Sequence, residues 1–86
     1  MATVAEVLAA ADDSVTLING INDGSIVRSD LTQDEINSMI QQNVDHLEII
    51  LAYNGENDTP DVAGSSDDKS SYNSAITTGK AYIAAN

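Results

Sequence analysis

The chain of 86 residues contains no cysteine, no phenylalanine and no tryptophan, and it has three basic residues against fourteen acidic ones. The absence of cysteine excludes a disulfide framework, a thiolate-bound zinc site and a catalytic thiol. A core without the two largest apolar aromatics buries less area per residue, which predicts modest stability. No apolar run approaches the roughly 18 residues needed to span a bilayer. The apolar part of the N-terminus has no basic residue before it, so we expect no signal peptide.

The formal net charge of −11 opposes binding to nucleic acid and to anionic membranes, because both present negative charge themselves. An acidic exterior most often only keeps a small protein in solution. Its functional interpretations are a cation-binding surface, a basic protein partner, or imitation of nucleic acid. We therefore expect a protein partner, and neither direct contact with nucleic acid nor a membrane.

The N-terminal segment predicts a first helix over about residues 4–19. Thr3-Val4-Ala5-Glu6 fits the capping box, in which the threonine oxygen accepts from a backbone N–H and the glutamate reaches back. At about 100° per residue, one set of apolar side chains shares a face: Val4, Val7, Leu8, Ala11, Val15 and Ile18. Asn19-Gly20 suits a left-handed cap and predicts the helix end. The competing interpretation is a β-hairpin over 14–28, with a turn at Asp23-Gly24.

A second capping box, Thr32-Gln33-Asp34-Glu35, predicts a helix over about residues 33–53 that ends at Asn54-Gly55. Asn43 lies inside its apolar arc. A buried amide without a partner costs about 1–3 kcal/mol, so we expect Asn43 to bond a loop backbone or to fix the register against a neighbouring helix. His46 lies at the edge of the arc with no second histidine or cysteine in the chain, which predicts a boundary residue and not a catalytic or metal-binding one.

Residues 54–70 predict a long acidic loop that has almost nothing to bury and is mobile, because little burial offsets the cost of ordering it. Its carboxylates, among them Glu56, Asp58 and Asp61, lack the spacing of a calcium-binding loop. We therefore assign no metal site and no cofactor.

A third helix is predicted over about residues 71–85, capped by Ser70 or Ser71. Gly79 lies inside its apolar face, where glycine costs about 1 kcal/mol relative to alanine. We expect the close approach of another helix to compensate for this cost.

Two apolar residues, Leu17 and Ile49, fall outside the core arcs of their helices and indicate a contact surface. The candidate partner contacts are these two residues, the interior amide and four loop acids: Leu17, Asn43, Ile49, Asp58, Asp61, Asp67 and Asp68.

The segments NVDHLEIILA (43–52) and SYNSAITTGKAYIAAN (71–86) resemble a class of small proteins from tailed phages of marine cyanobacteria. In that class a helix with a similar x-HLE-x core precedes an acidic loop and an Ala-Ile-Thr-x-Gly-Lys-type ending. The resemblance covers roughly the second half of the chain. It implies a small phage-encoded protein, in some cases a virion component, found in the virion or the host cytoplasm. It carries over no catalytic residue.

Together these patterns predict a single all-α domain over residues 1–86: a three-helix, up-down-up bundle with the acidic loop before the last helix. The expected function is non-enzymatic and structural, as an accessory component of a phage particle that self-associates or packs on a larger protein lattice. The alternative is an acidic inhibitor that imitates nucleic acid and occupies a basic host protein. That function needs carboxylates arrayed on one face, whereas the aspartates here are scattered along the chain.

Overall fold

The computed structural model describes residues 1–86. It contains three helices and no β-sheet. Helix α1 spans Val4–Asp23, α2 spans Gln33–Leu51, and α3 spans Ser70–Ala85. Each helix packs against both others, and the molecule measures 38 × 21 × 19 Å. The all-α, three-helix prediction is confirmed. The β-hairpin over 14–28 is wrong, because α1 continues through its first proposed strand.

The helix directions follow from contacts between side chains. Asp12 meets Tyr72 and Ile18 meets Gly79, so α1 and α3 run in the same direction. Gln33 at the start of α2 reaches Tyr82 near the end of α3, so α2 runs the opposite way. The order is therefore up-down-up.

Both predicted capping boxes are present. At α1, Thr3 Oγ1 accepts from Glu6 N and Glu6 Oε1 accepts from Thr3 N, each at 3.1 Å. At α2, Thr32 Oγ1 accepts from Glu35 N at 3.2 Å and Glu35 Oε1 accepts from Thr32 N at 2.9 Å. Each threonine cap contributes about 1 kcal/mol by satisfying an N–H group that has no partner inside the helix.

The predicted end of α1 at Asn19-Gly20 is wrong. The helix runs one more turn, to Asp23, and Gly24 takes the left-handed cap with φ 83°. A side chain at Gly20 would overlap Ile26, whose N–H donates to the Gly20 carbonyl at 3.0 Å. Gly20 therefore allows Ile26 to pack closely against the helix. The extra turn also buries Ile21, which stabilises the fold by about 1.5–3 kcal/mol.

The ends of the other two helices also differ slightly from prediction. Helix α2 stops at Leu51, two residues before the predicted end. Helix α3 begins at Ser70, and no serine caps it; Lys69 holds the cap position without a side-chain bond. The Ser70 N–H instead donates to Asp68 Oδ1 at 2.9 Å, and hydrogen bonds from Ser70 lower the pKa of Asp68.

The core is one cluster of eleven buried side chains drawn from all three helices and one loop: Leu8, Ala11, Ile18, Ile21, Ile40, Val44, Leu47, Ile50, Val62, Tyr72 and Ala75. Gly79 faces this cluster from α3. A β-carbon there would lie 2.5 Å from Val44 Cγ2 and 3.3 Å from Ile40 Cγ2. The predicted close approach of another helix at Gly79 is confirmed.

The loop between α2 and α3 is anchored by one apolar side chain. Val62 is fully buried, so the expectation that the loop has almost nothing to bury is wrong at this position. Ala63 N donates to Tyr53 O at 2.8 Å and closes the segment into a hairpin-like turn. Within that turn, Asn57 and Asp58 adopt positive φ angles of 55° and 60°, which asparagine and aspartate tolerate better than most residues.

None of the three helices is both long enough and apolar enough to cross a membrane.

Candidate functional site

Ser14, Asn43 and His46 form a hydrogen-bonded polar cluster between α1 and α2. Ser14 is only 4% exposed, and its Oγ lies 2.9 Å from Asn43 Oδ1 and 3.1 Å from His46 Nδ1. Asn43 Nδ2 donates to the carbonyl of Met39, one turn back in the same helix, at 2.8 Å. Asn43 therefore bonds its own helix and α1, and not a loop backbone.

The positions of the hydrogens in this cluster follow from what each atom can donate. The Met39 carbonyl only accepts, so the amide nitrogen of Asn43 faces it and the amide oxygen faces Ser14. That oxygen also only accepts, so the Ser14 hydroxyl donates its single proton there. Ser14 Oγ is left as an acceptor for His46, and Nδ1 of His46 must therefore carry a hydrogen.

This arrangement does not activate the serine. A nucleophilic serine needs a neighbouring base that takes its proton. Here Nδ1 of His46 donates to Ser14, and the Ser14 hydroxyl donates its proton in a hydrogen bond to Asn43 Oδ1. Every buried side-chain nitrogen and oxygen in the molecule has a partner. The cluster thus ties α1 to α2 at one register, while the ring of His46 remains exposed at the surface.

A second interhelical hydrogen bond joins α1 to α3. Tyr72 is 6% exposed and its hydroxyl donates to Asp12 Oδ1 at 2.8 Å. Burial and this hydrogen bond raise the pKa of Tyr72 to about 12. Between α2 and α3, Gln33 Nε2 donates to the hydroxyl of Tyr82 at 3.0 Å. Each pair of helices therefore has at least one polar contact that fixes how the two align.

An open groove of about 410 Å³ lies along the first half of α2. It is lined by two apolar and four polar or acidic side chains: Leu31, Asp34, Glu35, Ser38, Met39 and Gln42. We call these six residues the α2 groove. At its edge, Arg28 Nη1 lies 3.7 Å from Met39 Sδ. The apolar and anionic lining suits a cationic side chain with an aliphatic stem, which would pack its stem and pair its charge.

Arg28 itself is already paired. Its Nε and Nη2 donate to the two carboxylate oxygens of Asp30, each at 2.9 Å. This bond and the charge of Asp30 raise the pKa of Arg28, and the same bond lowers the pKa of Asp30. A fork-shaped pair of this kind is geometrically specific, so Arg28 does not neutralise the α2 groove.

Few of the carboxylates have a basic partner within the chain. The two ion pairs join Arg28 to Asp30 at 2.9 Å and Lys80 to Glu48 at 3.7 Å. Lys69 instead donates to backbone carbonyls, the nearer at 2.8 Å. Of fourteen acidic residues, two are thus paired, which leaves twelve without an internal cation. The surface is strongly anionic, and α3 is the one helix that carries no carboxylate.

The two apolar residues predicted as partner contacts have different environments. Ile49 is 57% exposed, as expected for a contact residue. Leu17 is half-buried and packs against the core cluster, so it is less available than the sequence suggests. Val27, which the sequence analysis did not select, is 76% exposed.

The four loop aspartates divide into two kinds. Asp61 Oδ1 accepts from Gly64 N at 2.8 Å and Asp68 Oδ1 accepts from Ser70 N at 2.9 Å, so both shape the backbone. Asp58 and Asp67 are exposed. No group of three or more acidic or histidine side chains is arranged to hold a metal ion. All four aspartates are exposed, and Asp58 and Asp67 are the two whose side chains make no hydrogen bond within the loop.

Sequence reasoning missed Ser14, although a signal for it was present. Ser14 lies three residues after Ala11 and four before Ile18, on the buried face of α1. The partnership of Tyr72 with Asp12, sixty residues apart, had no such signal. The α2 groove was also missed, although its six residues lie within 31–42 at the three- and four-residue spacing of one helix face.

No protein-family model, no curated protein and no solved structure matches this chain.

Proposed function

We propose that this protein is a non-enzymatic interaction protein that binds a basic protein surface, most concretely as a small accessory component on a phage particle. One observation carries the proposal: twelve of the fourteen carboxylates have no cationic partner within the chain. A surface this rich in one charge is complementary to a basic partner and speeds their association. The resemblance of residues 43–52 and 71–86 to small phage proteins supports the particle as the setting.

The charge also favours a foreign partner over a second copy of the chain. Two copies would bring net charges of −11 together, and at 0.1 M salt charges within about 10 Å still repel each other. Of the two partners that the sequence suggests, a larger protein lattice is therefore preferred to self-association. Basic segments of such a lattice would relieve the repulsion.

The α2 groove is the place where such a partner would be held most specifically. Its apolar side chains, Leu31 and Met39, offer contact to the stem of a lysine or arginine, and Asp34 lies beside them with no hydrogen bond of its own. Exposed Ile49, farther along α2, adds apolar area. The remaining carboxylates would set the rate of encounter more than the strength of the complex.

Imitation of nucleic acid is the alternative. It requires rows of carboxylates at duplex-like spacing, whereas the acidic side chains here are divided among α1, α2 and both connections. The distribution favours a protein surface that recognises a few basic side chains.

Quantitative mass spectrometry of purified particles of the encoding phage tests the setting. We expect the protein at a fixed copy number relative to a major capsid protein. Its presence only in the infected-cell lysate would refute the particle role and favour the inhibitor.

Rebinding to particles that lack the protein tests the mechanism. Affinity should fall as salt rises, and Asp34→Asn should weaken binding more than Asp13→Asn. Both substitutions remove one exposed carboxylate, so the second controls for net charge. Equal effects would show that the α2 groove is not the contact.

A further inference from the structure

The chain contains two Asn-Gly pairs, Asn19-Gly20 and Asn54-Gly55. In such a pair the backbone nitrogen of glycine can attack the side-chain amide carbon of asparagine. A C–N bond forms, the amide C–N bond breaks, and ammonia leaves, which produces a five-membered succinimide. Water then opens this ring to aspartate or isoaspartate. Glycine favours the reaction because no β-carbon shields its nitrogen.

We infer that Asn54 is a site of spontaneous deamidation in the folded protein and that the fold protects Asn19. The two sites share the same dipeptide, so a difference between them reports on structure and not on local sequence.

Asn54 lies where the attack is least hindered. It follows the end of α2, and both Asn54 and Gly55 are exposed. Gly55 adopts φ 86° and its N–H makes no hydrogen bond of standard geometry. The restraints on Asn54 are a 3.2 Å bond from Glu56 N to its Oδ1 and an isolated bridge to Asp61. These contacts slow the reaction relative to an unstructured peptide but leave the attacking nitrogen accessible.

Asn19 lies in the last turns of α1, where the reaction is blocked. Helical dihedral angles hold the Gly20 nitrogen away from the side-chain carbon of Asn19, and a helix interior uses that N–H in its own hydrogen bonding. Gly20 is also buried, with Ile26 packed against it. Cyclisation at Asn19 therefore requires α1 to open first.

The two products at residue 54 have different consequences. Aspartate adds one carboxylate and can still accept from Glu56 N. Isoaspartate adds a backbone carbon between Tyr53 and Gly55, next to the bond from Ala63 N to Tyr53 O that closes the loop at 2.8 Å. Because this closure places buried Val62, the isoaspartyl form should hold the loop less firmly.

Incubation at mildly alkaline pH, followed by peptide mapping with mass spectrometry, tests the site. We expect folded protein to deamidate at Asn54 at least about tenfold faster than at Asn19, the factor that corresponds to about 1.4 kcal/mol of helix opening. In urea the two sites should react at similar rates. Equal rates in the folded protein would overturn the inference, as would a folded protein that stays intact while the unfolded chain reacts.

Two variants separate the chemistry from its effect on the loop. Asn54→Gln should abolish the modification at this position, because glutamine cyclises far more slowly. Asn54→Asp carries the added charge without the added backbone atom. The isoaspartyl fraction, isolated by ion exchange, should be cut by protease within 52–69 faster than Asn54→Asp. Equal cleavage rates would refute the structural consequence.

Discussion

Replacing Gly79 with alanine sets two effects of known size against each other. Alanine in a helix interior is about 1 kcal/mol more favourable than glycine, so helix propensity alone predicts stabilisation. In the bundle, however, the new β-carbon would lie 2.5 Å from Val44 Cγ2, 3.3 Å from Ile40 Cγ2 and 3.5 Å from Ile18 Cγ2. Overpacking of this kind costs about 1–3 kcal/mol.

The neighbours of Gly79 have little freedom to move. Val44 is fully buried, and a valine in a helix has one strongly preferred side-chain rotamer. The contacts come from α1 as well as α2, so relief requires α3 to shift away from both. We therefore expect Gly79→Ala to lower the free energy of unfolding by about 1 kcal/mol, which lowers the Tm by about 4–8 °C.

Thermal and urea unfolding followed by circular dichroism measure this change. Ser74→Ala is the matched control, because Ser74 is exposed in the same helix and should gain a few tenths of a kcal/mol from propensity alone. A rise in Tm for Gly79→Ala as large as that of the control would refute the overpacking argument.

Making Gly79→Ala in a second variant background tests the cause of the lost stability. Val44→Ala removes the two methyl groups, including the one closest to the new β-carbon. In that background Gly79→Ala should become neutral or stabilising, because the 2.5 Å overlap is gone and the propensity gain of about 1 kcal/mol offsets the milder contact with Ile40 at 3.3 Å. An unchanged cost in both backgrounds would mean that Val44 is not the obstacle.

Four further predictions concern other contacts. Val62→Ala should cost about 2 kcal/mol and expose the loop to limited proteolysis; unchanged proteolysis would contradict its anchoring role. Asn43→Leu removes the acceptor of the Ser14 proton and leaves His46 as the only partner of Ser14, so it should cost about 1 kcal/mol in urea unfolding, much of which the added Ser14→Ala recovers; no recovery would argue against this hydrogen bond between α1 and α2. Between about pH 10 and pH 12 the folded state keeps the Tyr72 proton that the unfolded state releases, because the pKa of Tyr72 rises from 10.0 to about 12. Stability should therefore fall over that range, and Tyr72→Phe should show a shallower fall in unfolding measurements across pH. Nitrogen NMR of the neutral His46 ring should find the hydrogen on Nδ1; a hydrogen on Nε2 would refute the proton assignment.

The helix starts of α1 and α2 are predictable from sequence because they depend on local contacts. Each capping box satisfies its hydrogen bonds within four residues, so no distant part of the chain is needed to recognise it. The close packing at Gly79 is predictable for a related reason, because a glycine inside an apolar stripe leaves room for a neighbouring helix to approach.

The candidate site was predictable only in part. Ile49 is exposed, as its position on the helix indicates, and Asn43 does make interior hydrogen bonds. The α2 groove lies on one local stretch, residues 31–42, whereas the loss of Leu17 to the core depends on how separate helices pack. A helical wheel describes one helix and carries no information about its neighbours.

The sequence by itself thus determined the number of helices, two of their starting points, the apolar faces and the anionic character of the surface. All of these follow from residue types and from contacts a few positions apart. Only the tertiary structure decided that α1 continues past Gly20, because Ile26 returns to pack on that glycine. It also decided that Val62 enters the core and that Ser14 meets His46. These choices rest on packing and hydrogen bonds with residues outside the helix concerned, which the periodicity of a single helix does not show.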